Sequence, residues 1–288
     1  MWIIMAILSA IFAGLTAILA KCGIKKTDSD VATFIRTIVI LAFSWLIVFI
    51  VGSFKSFLYI DKKSFLFLIL SGLSTGVSWL CYFKALSIGD VNKVVVIDKS
   101  SIILTVLFAI LILKENENIF IKIFSTLLIG LGTFMMIEKK NIHNNSIKNT
   151  WILYAILSAI FASLTSIFAK IGISNIESNL ATAIRTFFVL IMAFIVLIYN
   201  KKIKYLKNID KKEMIFIILS GLSTGISWLC YYYAIQNGIV SVVVPIDKLS
   251  ILVSIVLSFI IFKEKLNRKS IWGLIFIIIG TLLITFYS

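Results

Sequence analysis

The sequence is poor in charged residues and in residues that break helices. Only 14% of its 288 residues are charged, against about 25% in an average soluble protein, and 60% are apolar. This composition excludes a water-soluble globular protein of this length, because too few polar side chains are present to cover its surface. It also excludes intrinsic disorder, which requires low hydrophobicity. The single proline favours long, unbroken helices. We therefore expect an integral membrane protein.

Histidine and cysteine, which supply many metal ligands and nucleophiles, are also scarce. The one histidine, His143, lies in a polar stretch, and the three cysteines form no Cys-x-x-Cys pair. The sequence contains no His-Glu-x-x-His, Gly-x-Ser-x-Gly or P-loop motif, so neither an intramembrane hydrolase nor an ATP-driven pump is indicated. We predict no enzymatic activity, no cofactor and no metal site.

What the sequence does have is ten apolar runs of about the length that crosses a bilayer, roughly 20 residues. The runs are continuous rather than alternating, which favours helices over a β-barrel. The connecting segments are short, and the longest, at 138–150, is rich in Asn and Lys. The predicted spans are Trp2–Ala20, Val31–Gly52, Ser64–Ser87, Val91–Leu113, Asn118–Ile137, Trp151–Ala169, Leu180–Tyr199, Met214–Gln236, Val240–Phe262 and Ile271–Phe286.

The two halves of the sequence repeat one another. Positions 6–24 read AILSAIFAGLTAILAKCGI, and positions 155–173 read AILSAIFASLTSIFAKIGI. Arg36 returns as Arg185 in the same register, so the likeness reflects duplication rather than shared composition. Each repeat holds five spans, and an odd number places the second repeat in the opposite orientation.

The predicted fold is therefore an all-α integral membrane protein with ten transmembrane helices arranged as two inverted five-helix repeats. The first repeat covers residues 1–139, a polar linker covers 140–150, and the second repeat covers 151–288.

The net charge of +15 comes mainly from lysines between the spans, which bears on orientation and not on nucleic-acid binding. Most Lys and Arg residues fall in the connectors that follow odd-numbered spans, above all at 201–212 and 263–269. Because cytoplasmic loops carry the excess of positive charge, this bias predicts that both termini lie outside.

Several of the repeated motifs resemble the drug/metabolite transporter superfamily, EamA type. The motifs are the LSAIFA opening, the Ala-Thr stretch before Arg36 and Arg185, the GLSTGxSWLCY run, Ile-Asp-Lys-x-Ser, and Lys-Glu after the fourth span of each repeat. The resemblance covers nearly the whole chain, and each half is also similar to short members that hold one five-helix repeat. It implies ten helices in two EamA repeats and transport of a small solute. It also implies cytoplasmic termini, so both orientations stay open.

Charged side chains inside the spans are the main candidates for function, because each costs about 2.5–3.5 kcal/mol to insert. Asp98 lies about 10 Å into its span, too deep for a short side chain to reach water, and Asp247 is its repeat mate. We predict that this pair binds a cationic group, carries a coupled proton or orients a basic residue. The structural alternative is an ion pair of Arg36 with Asp98 and of Arg185 with Asp247.

Three further basic residues lie in the spans. Lys99 and Lys248 directly follow the two aspartates and are included as candidate binding residues. Lys84 has Tyr233 as its repeat mate, so it breaks the symmetry of the two halves. It is either a counter-charge that makes the site selective or a side chain that snorkels from a helix end.

Small and aromatic residues of the third span in each repeat complete the candidate set. The aromatic residues are interpreted either as cavity walls or as interface anchors, and the serines either line a cavity or pack helices. These residues are Trp79, Tyr82, Trp228, Tyr231, Ser74 and Ser223. Helix packing or a hinge is predicted at the two Gly-x-x-x-Gly pairs and the lone proline, namely Gly72, Gly76, Gly221, Gly225 and Pro245.

These features together predict a secondary transporter that moves a small metabolite or drug-like solute across the plasma membrane by alternating access. The paired aspartates make protons a candidate coupling ion. The expected partners are the solute, membrane lipid and protons, but not nucleic acid, and the chain acts as a monomer or homodimer. The alternatives are a lipid-carrier flippase subunit and a non-transporting scaffold, although a scaffold has no reason to keep deep aspartates in both repeats.

Overall fold

The computed structural model describes residues 1–24, 26–88, 94, 97–98, 100–136, 150–207, 209–263 and 268–287. All regular secondary structure in this part of the chain is helical. Two 3-10 turns, Ser53–Tyr59 and Ile203–Lys207, accompany eleven α-helical segments. These are α1 Trp2–Gly23, α2 Ser29–Val51, α3 Lys62–Ile88, α4 Ser101–Ile112, α5 Ile119–Met136, α6 Thr150–Ile173, α7 Ser178–Tyr199, α8 Lys211–Asn237, α9 Val240–Lys248, α10 Ser250–Phe262 and α11 Arg268–Tyr287.

The described helices are long and apolar enough for a membrane protein. Nine spans in this part of the chain meet the length and hydropathy of a bilayer crossing, when α9 and α10 are counted as one. Apolar side chains such as Leu111 and Phe120 are exposed on the helix surfaces, as expected where lipid replaces water. The prediction of an all-α integral membrane protein is confirmed.

One predicted span differs from the helices observed, and another lies partly outside the described residues. In the predicted span 91–113 the described helix is α4, which begins at Ser101. The predicted span 240–262 is interrupted, because α9 ends at Lys248 and α10 begins only after a turn at Leu249. Pro245 lies inside α9 rather than at its first position. A proline there cannot donate a backbone hydrogen bond, which weakens the helix just before the interruption.

Acidic side chains begin several of the helices. The carboxylate of Asp28 accepts the backbone N–H of Asp30 at the start of α2. The Glu177 carboxylate accepts two N–H groups at the start of α7, and Asp210 accepts one at the start of α8. The first N–H groups of a helix have no partner within it, so these side chains stabilise the ends where the chain re-enters the membrane.

The described helices form two compact units. The first contains Met1–Leu73, Phe168–Gly238 and Ser250–Glu264. Within it, α1 packs against α8 and α10, and α2 packs against α7 and α8. Its core includes Leu68 and Tyr232.

The second unit contains Ser74–Ile167, Ile239–Leu249 and Lys265–Ser288. Within it, α5 packs along α11, and α9 packs against α4 and α11. Ala85 and Ala155 contribute to a small core there. Each unit thus contains helices from both sequence repeats.

Candidate functional site

In the second unit, Asp98 accepts a hydrogen bond from one serine, which a second serine contacts in turn. The Ser158 hydroxyl on α6 donates a hydrogen bond of 2.8 Å to Oδ1 of Asp98. The Ser78 hydroxyl on α3 donates in turn to the Ser158 carbonyl at 3.0 Å. Asp98 is half-buried and forms no ion pair with any basic side chain that the structure describes. Its described partner is therefore a neutral hydroxyl.

Asp247 lies at the end of the interrupted helix α9, also in the second unit. It is half-buried, like Asp98, and Lys248 beside it is the last residue of α9. The predicted site residue Lys99 lies outside the described residues. Asp98 thus precedes the start of α4, and Asp247 precedes the break between α9 and α10.

The carboxylate of Glu115, which lies between α4 and α5, caps the N-terminal end of α9. Its Oε1 accepts the Val240 N–H at 2.7 Å, and its Oε2 accepts the Ser241 N–H at 2.9 Å. The fully buried Lys122 donates to the Glu115 carbonyl at 2.9 Å. Sequence reasoning listed Glu115 only as part of a repeated Lys-Glu motif and missed Lys122, although that lysine lies inside an apolar run.

In the first unit, Arg185 on α7 is enclosed by aromatic rings. Its guanidinium carbon lies 5.0 Å from the ring centroid of Trp228 and 4.6 Å from that of Tyr232. Its Nε donates to the hydroxyl of Ser71 on α3 at 2.9 Å, and only 2% of the residue is exposed. Ring faces attract a cation, so this site stabilises the buried charge with aromatic and hydroxyl groups.

Its repeat mate Arg36, also in the first unit, has a different environment. Nη2 of Arg36 donates to the Thr224 hydroxyl on α8 at 2.9 Å. Nε of Arg36 is buried and has no hydrogen-bond partner among the described residues. The side chain forms no ion pair and no aromatic contact with residues that the structure describes. Arg36 belongs to the first unit and Asp98 to the second, so the ion pair of these two residues stays a prediction.

Lys170 is a half-buried cation that sequence reasoning missed. Its ammonium group donates to the carbonyl oxygens of Ile235, Gln236 and Gly238, at 2.7, 3.0 and 2.7 Å. These carbonyl groups lie at the C-terminal end of α8, where they accept no hydrogen bond from N–H groups of the helix. A lysine in the last turn of an apolar run is the only sequence signal for this arrangement.

Some of the remaining predicted residues pack against the cores of the two units, and others are partly or fully exposed. Trp228 and Tyr231 pack against the core of the first unit, and Tyr82 packs against the core of the second. Trp79 and Tyr233 are half-buried, and Lys84 is exposed. The predicted site residues are thus divided between the two units.

The predicted small residues pack helices where their surroundings are described. The Ser223 hydroxyl donates to the Phe12 carbonyl at 2.8 Å, and Ser74 is buried. A Cβ on Gly72 would meet the Arg185 carbonyl oxygen at 2.9 Å. A Cβ on Gly221 or on Gly225 would likewise lie very close to a side chain of a neighbouring helix. Gly76 is buried. In the described residues, no three His, Cys, Asp or Glu side chains are grouped as metal ligands.

Comparison with known proteins agrees with this architecture. Residues 1–138 and 149–286 each match the EamA-like transporter family. A solved crystal structure with 15% sequence identity superposes with a TM-score of 0.78, covering 97% of this chain and 96% of the other. At that identity the likeness concerns the fold alone.

Two curated relatives are similar to one half of the chain. An uncharacterized transporter from the cobO 3' region of a Sinorhizobium species is 47% identical over 118 residues, which is 41% of this chain and 84% of the relative. An uncharacterized protein of Methanocaldococcus jannaschii is 31% identical over 140 residues, which is 48% of this chain and 97% of the relative. With both repeats matched across nearly its full length, the chain belongs to the EamA-like transporter family.

Proposed function

We propose that this protein is a secondary active transporter that moves a small metabolite or drug-like solute across the plasma membrane by alternating access, with protons as the coupling ion. Membership of a transporter family supports the general class. The observation that carries the coupling proposal is the Asp98 carboxylate, which lies in a predicted span and has a serine as its described partner. The two aspartates, Asp98 and Asp247, form the proposed coupling pair.

A carboxylate inside a membrane is costly unless a counter-charge or a proton neutralises it. In our proposal a proton fills that role at Asp98, whose described partner is the neutral Ser158 hydroxyl. The Ser158 hydroxyl donates to the carboxylate and, after rotation, accepts from the carboxylic acid. Both protonation states of Asp98 are thus hydrogen-bonded, which suits a group that binds and releases a proton in each cycle.

In this proposal, the break between α9 and α10 allows part of the transporter to move. Broken helices near the middle of a span are typical of transporter binding sites. Here α9 carries Pro245 and ends beside Asp247, before the turn at Leu249. Rotation about this turn alters the position of the aspartate without breaking the hydrogen bonds of α10, and we propose it as the hinge.

The first prediction concerns proton-driven transport in proteoliposomes. Radiolabelled candidate solutes are supplied at two pH values, with and without an imposed pH gradient. Asp98→Asn removes the titratable group but keeps the hydrogen bond with Ser158, so we expect the stimulation by the pH gradient to be lost. The matched control is Asp61→Asn, because Asp61 accepts the Ser64 N–H at a helix start outside the membrane and Asn also caps helices. Normal stimulation with unchanged pH dependence in Asp98→Asn would refute the coupling role.

A further inference from the structure

The interior of the first unit contains cationic charge without acidic partners. Arg36 and Arg185 lie about two turns into α2 and α7. Every acidic residue of this unit that the structure describes lies at a helix end or in a connector: Asp28, Asp30, Asp61, Glu177, Asp210 and Glu213. Two guanidinium groups in a membrane-spanning unit require another source of stabilisation.

The two arginines meet this requirement in different ways. Arg185 is 2% exposed and is stabilised by two aromatic rings and Ser71. Arg36 is half-buried, and of the five N–H donors in a guanidinium only one is used by described residues, the Nη2 donor to Thr224. Arg185 thus has two aromatic rings and a hydroxyl beside its guanidinium, whereas Arg36 has one described hydroxyl, no described ring, and donors that remain for a ligand.

The position of the Arg36 guanidinium is fixed by a chain of hydrogen bonds. The Thr224 hydroxyl donates its own hydrogen to the Ser220 carbonyl at 2.7 Å. Its oxygen then accepts from Nη2 of Arg36 at 2.9 Å and from the Thr16 hydroxyl at 3.2 Å. Thr224 thus links α1, α2 and α8 and holds the guanidinium in one orientation. A preorganised donor loses less conformational entropy when it binds a ligand.

We propose that Arg36 binds the carboxylate of an organic anion or zwitterion, and that Thr224 is the positioning residue for this contact. The inference deepens the proposed transport function, because it assigns a substrate class. A planar guanidinium matches a carboxylate with two parallel N–H···O bonds, which an uncharged amide does not reproduce. The carboxylate neutralises the half-buried cation, so binding is favoured over an uncharged solute of the same size.

The test is a binding measurement that does not depend on transport. Purified protein in nanodiscs is titrated at pH 7 and fixed ionic strength with benzoate, succinate and L-phenylalanine, and with the amide of each. We expect at least one carboxylate to raise the unfolding temperature while its amide does not. The dissociation constant for that carboxylate should rise at least tenfold in Arg36→Lys, which keeps the charge but loses the planar fork. Arg36→Gln should abolish the shift.

A matched pair of threonines separates positioning from general helix packing. Thr75 is the repeat mate of Thr224, and its hydroxyl lies 3.3 Å from that of Thr165, much as Thr224 lies 3.2 Å from Thr16. Thr224→Val should weaken carboxylate binding severalfold, whereas Thr75→Val should not change it. Unchanged binding in both Arg36→Lys and Thr224→Val would overturn the proposal. So would the absence of any preference for carboxylates over amides in the wild-type protein.

The coupling variant distinguishes this inference from the proposed function. Asp98→Asn should keep the thermal shift with the carboxylate while it loses stimulation by the pH gradient. If Asp98→Asn is still driven by the gradient but Arg36→Gln has lost binding, the coupling proposal is wrong and the Arg36 assignment stands. If Arg36→Gln binds the carboxylate normally and Asp98→Asn is no longer stimulated by the pH gradient, the Arg36 assignment is wrong and the coupling proposal stands.

Discussion

Lys202 is one residue whose effect on stability follows from its immediate contacts. Its ammonium group lies 2.8 Å from Asp28 and 2.7 Å from Asp30, which is 6% exposed. Burial raises the pKa of Asp28, but the hydrogen bonds from Lys202 and from the Asp30 N–H outweigh it and hold the pKa below 3.8. Burial lowers the pKa of Lys202, but its bonds to the two aspartates outweigh this and raise the pKa above 10.5.

These shifts predict the pH range in which Lys202 stabilises the fold. The Asp28 contribution is present above 3.8 and is lost as pH falls through its lowered pKa. The Lys202 contribution is present below 10.5 and is lost as pH rises through its raised pKa. Lys202→Ala should therefore destabilise the protein by about 1–2 kcal/mol near pH 7, and by progressively less as the pH falls below 3.8 through the lowered pKa of Asp28. Thermal unfolding of this variant is compared with Lys207→Ala, an exposed lysine of the same connector. A loss that does not depend on pH would contradict the ion-pair explanation.

At the residue scale, sequence identified some of the buried charges but not what they contact. Asp98 and Arg185 were recognised because each interrupts an apolar run. Their partners Ser158 and Ser71 are 60 and 114 positions away, and only the packing of helices from different repeats brings them together. Lys170 was missed because its partners are backbone carbonyls, which leave no side-chain pattern in a sequence.

The helix α9 is the element whose stability depends most clearly on one side chain from elsewhere. Both carboxylate oxygens of Glu115 accept N–H groups at its start, and nine residues provide little helical stability of their own. Glu115→Ala should destabilise the protein by about 1–2 kcal/mol and increase hydrogen exchange at Val240 and Ser241. Glu117→Ala is the matched control, because this exposed carboxylate of the same connector caps no described helix. Equal exchange at α9 in both variants would show that the cap is not needed.

At the element scale, the sequence predicted most helices within a few residues, because apolar length determines where a chain can span a bilayer. It predicted one continuous span at 240–262, although the helix breaks at Leu249. Pro245 signalled a weak point, but a proline near a helix start is also compatible with an unbroken helix. The cap at Glu115 decides where α9 begins, and that contact is not visible in the hydropathy pattern.

The orientation of the whole molecule is predicted by the distribution of its loop charges. Lysines at 201–212 and 263–269 dominate the bias, which predicts that both termini lie outside, whereas family resemblance predicts that they lie in the cytoplasm. If the charge bias determines the orientation, the end of the chain lies outside, and alkaline phosphatase fused after residue 288 should be active. Replacing the lysines at 201–212 by glutamine should then reverse the result. Inactive phosphatase with the wild-type chain would favour the orientation implied by the resemblance.

Each compact unit is assembled from helices of both repeats, and this makes the two halves dependent on one another. In the first unit α1 packs along α8, and in the second α5 packs along α11. Fragments 1–139 and 151–288, expressed together as separate chains, should therefore co-purify as an equimolar complex. Each fragment expressed alone should aggregate or be degraded, because its packing faces lack their partners.

Small residues at one helix contact provide the sharpest check on this dependence. A Cβ on Gly273 would lie 2.5 Å from the Gly132 carbonyl oxygen, so Gly273→Ala forces α11 away from α5 and should reduce recovery of the complex. A Cβ on Gly130 would meet only the flexible Ile103 side chain at 3.1 Å, so Gly130→Ala should be tolerated. If either fragment alone is monodisperse and stable, or if both glycine variants assemble equally well, the units do not depend on pairing between repeats.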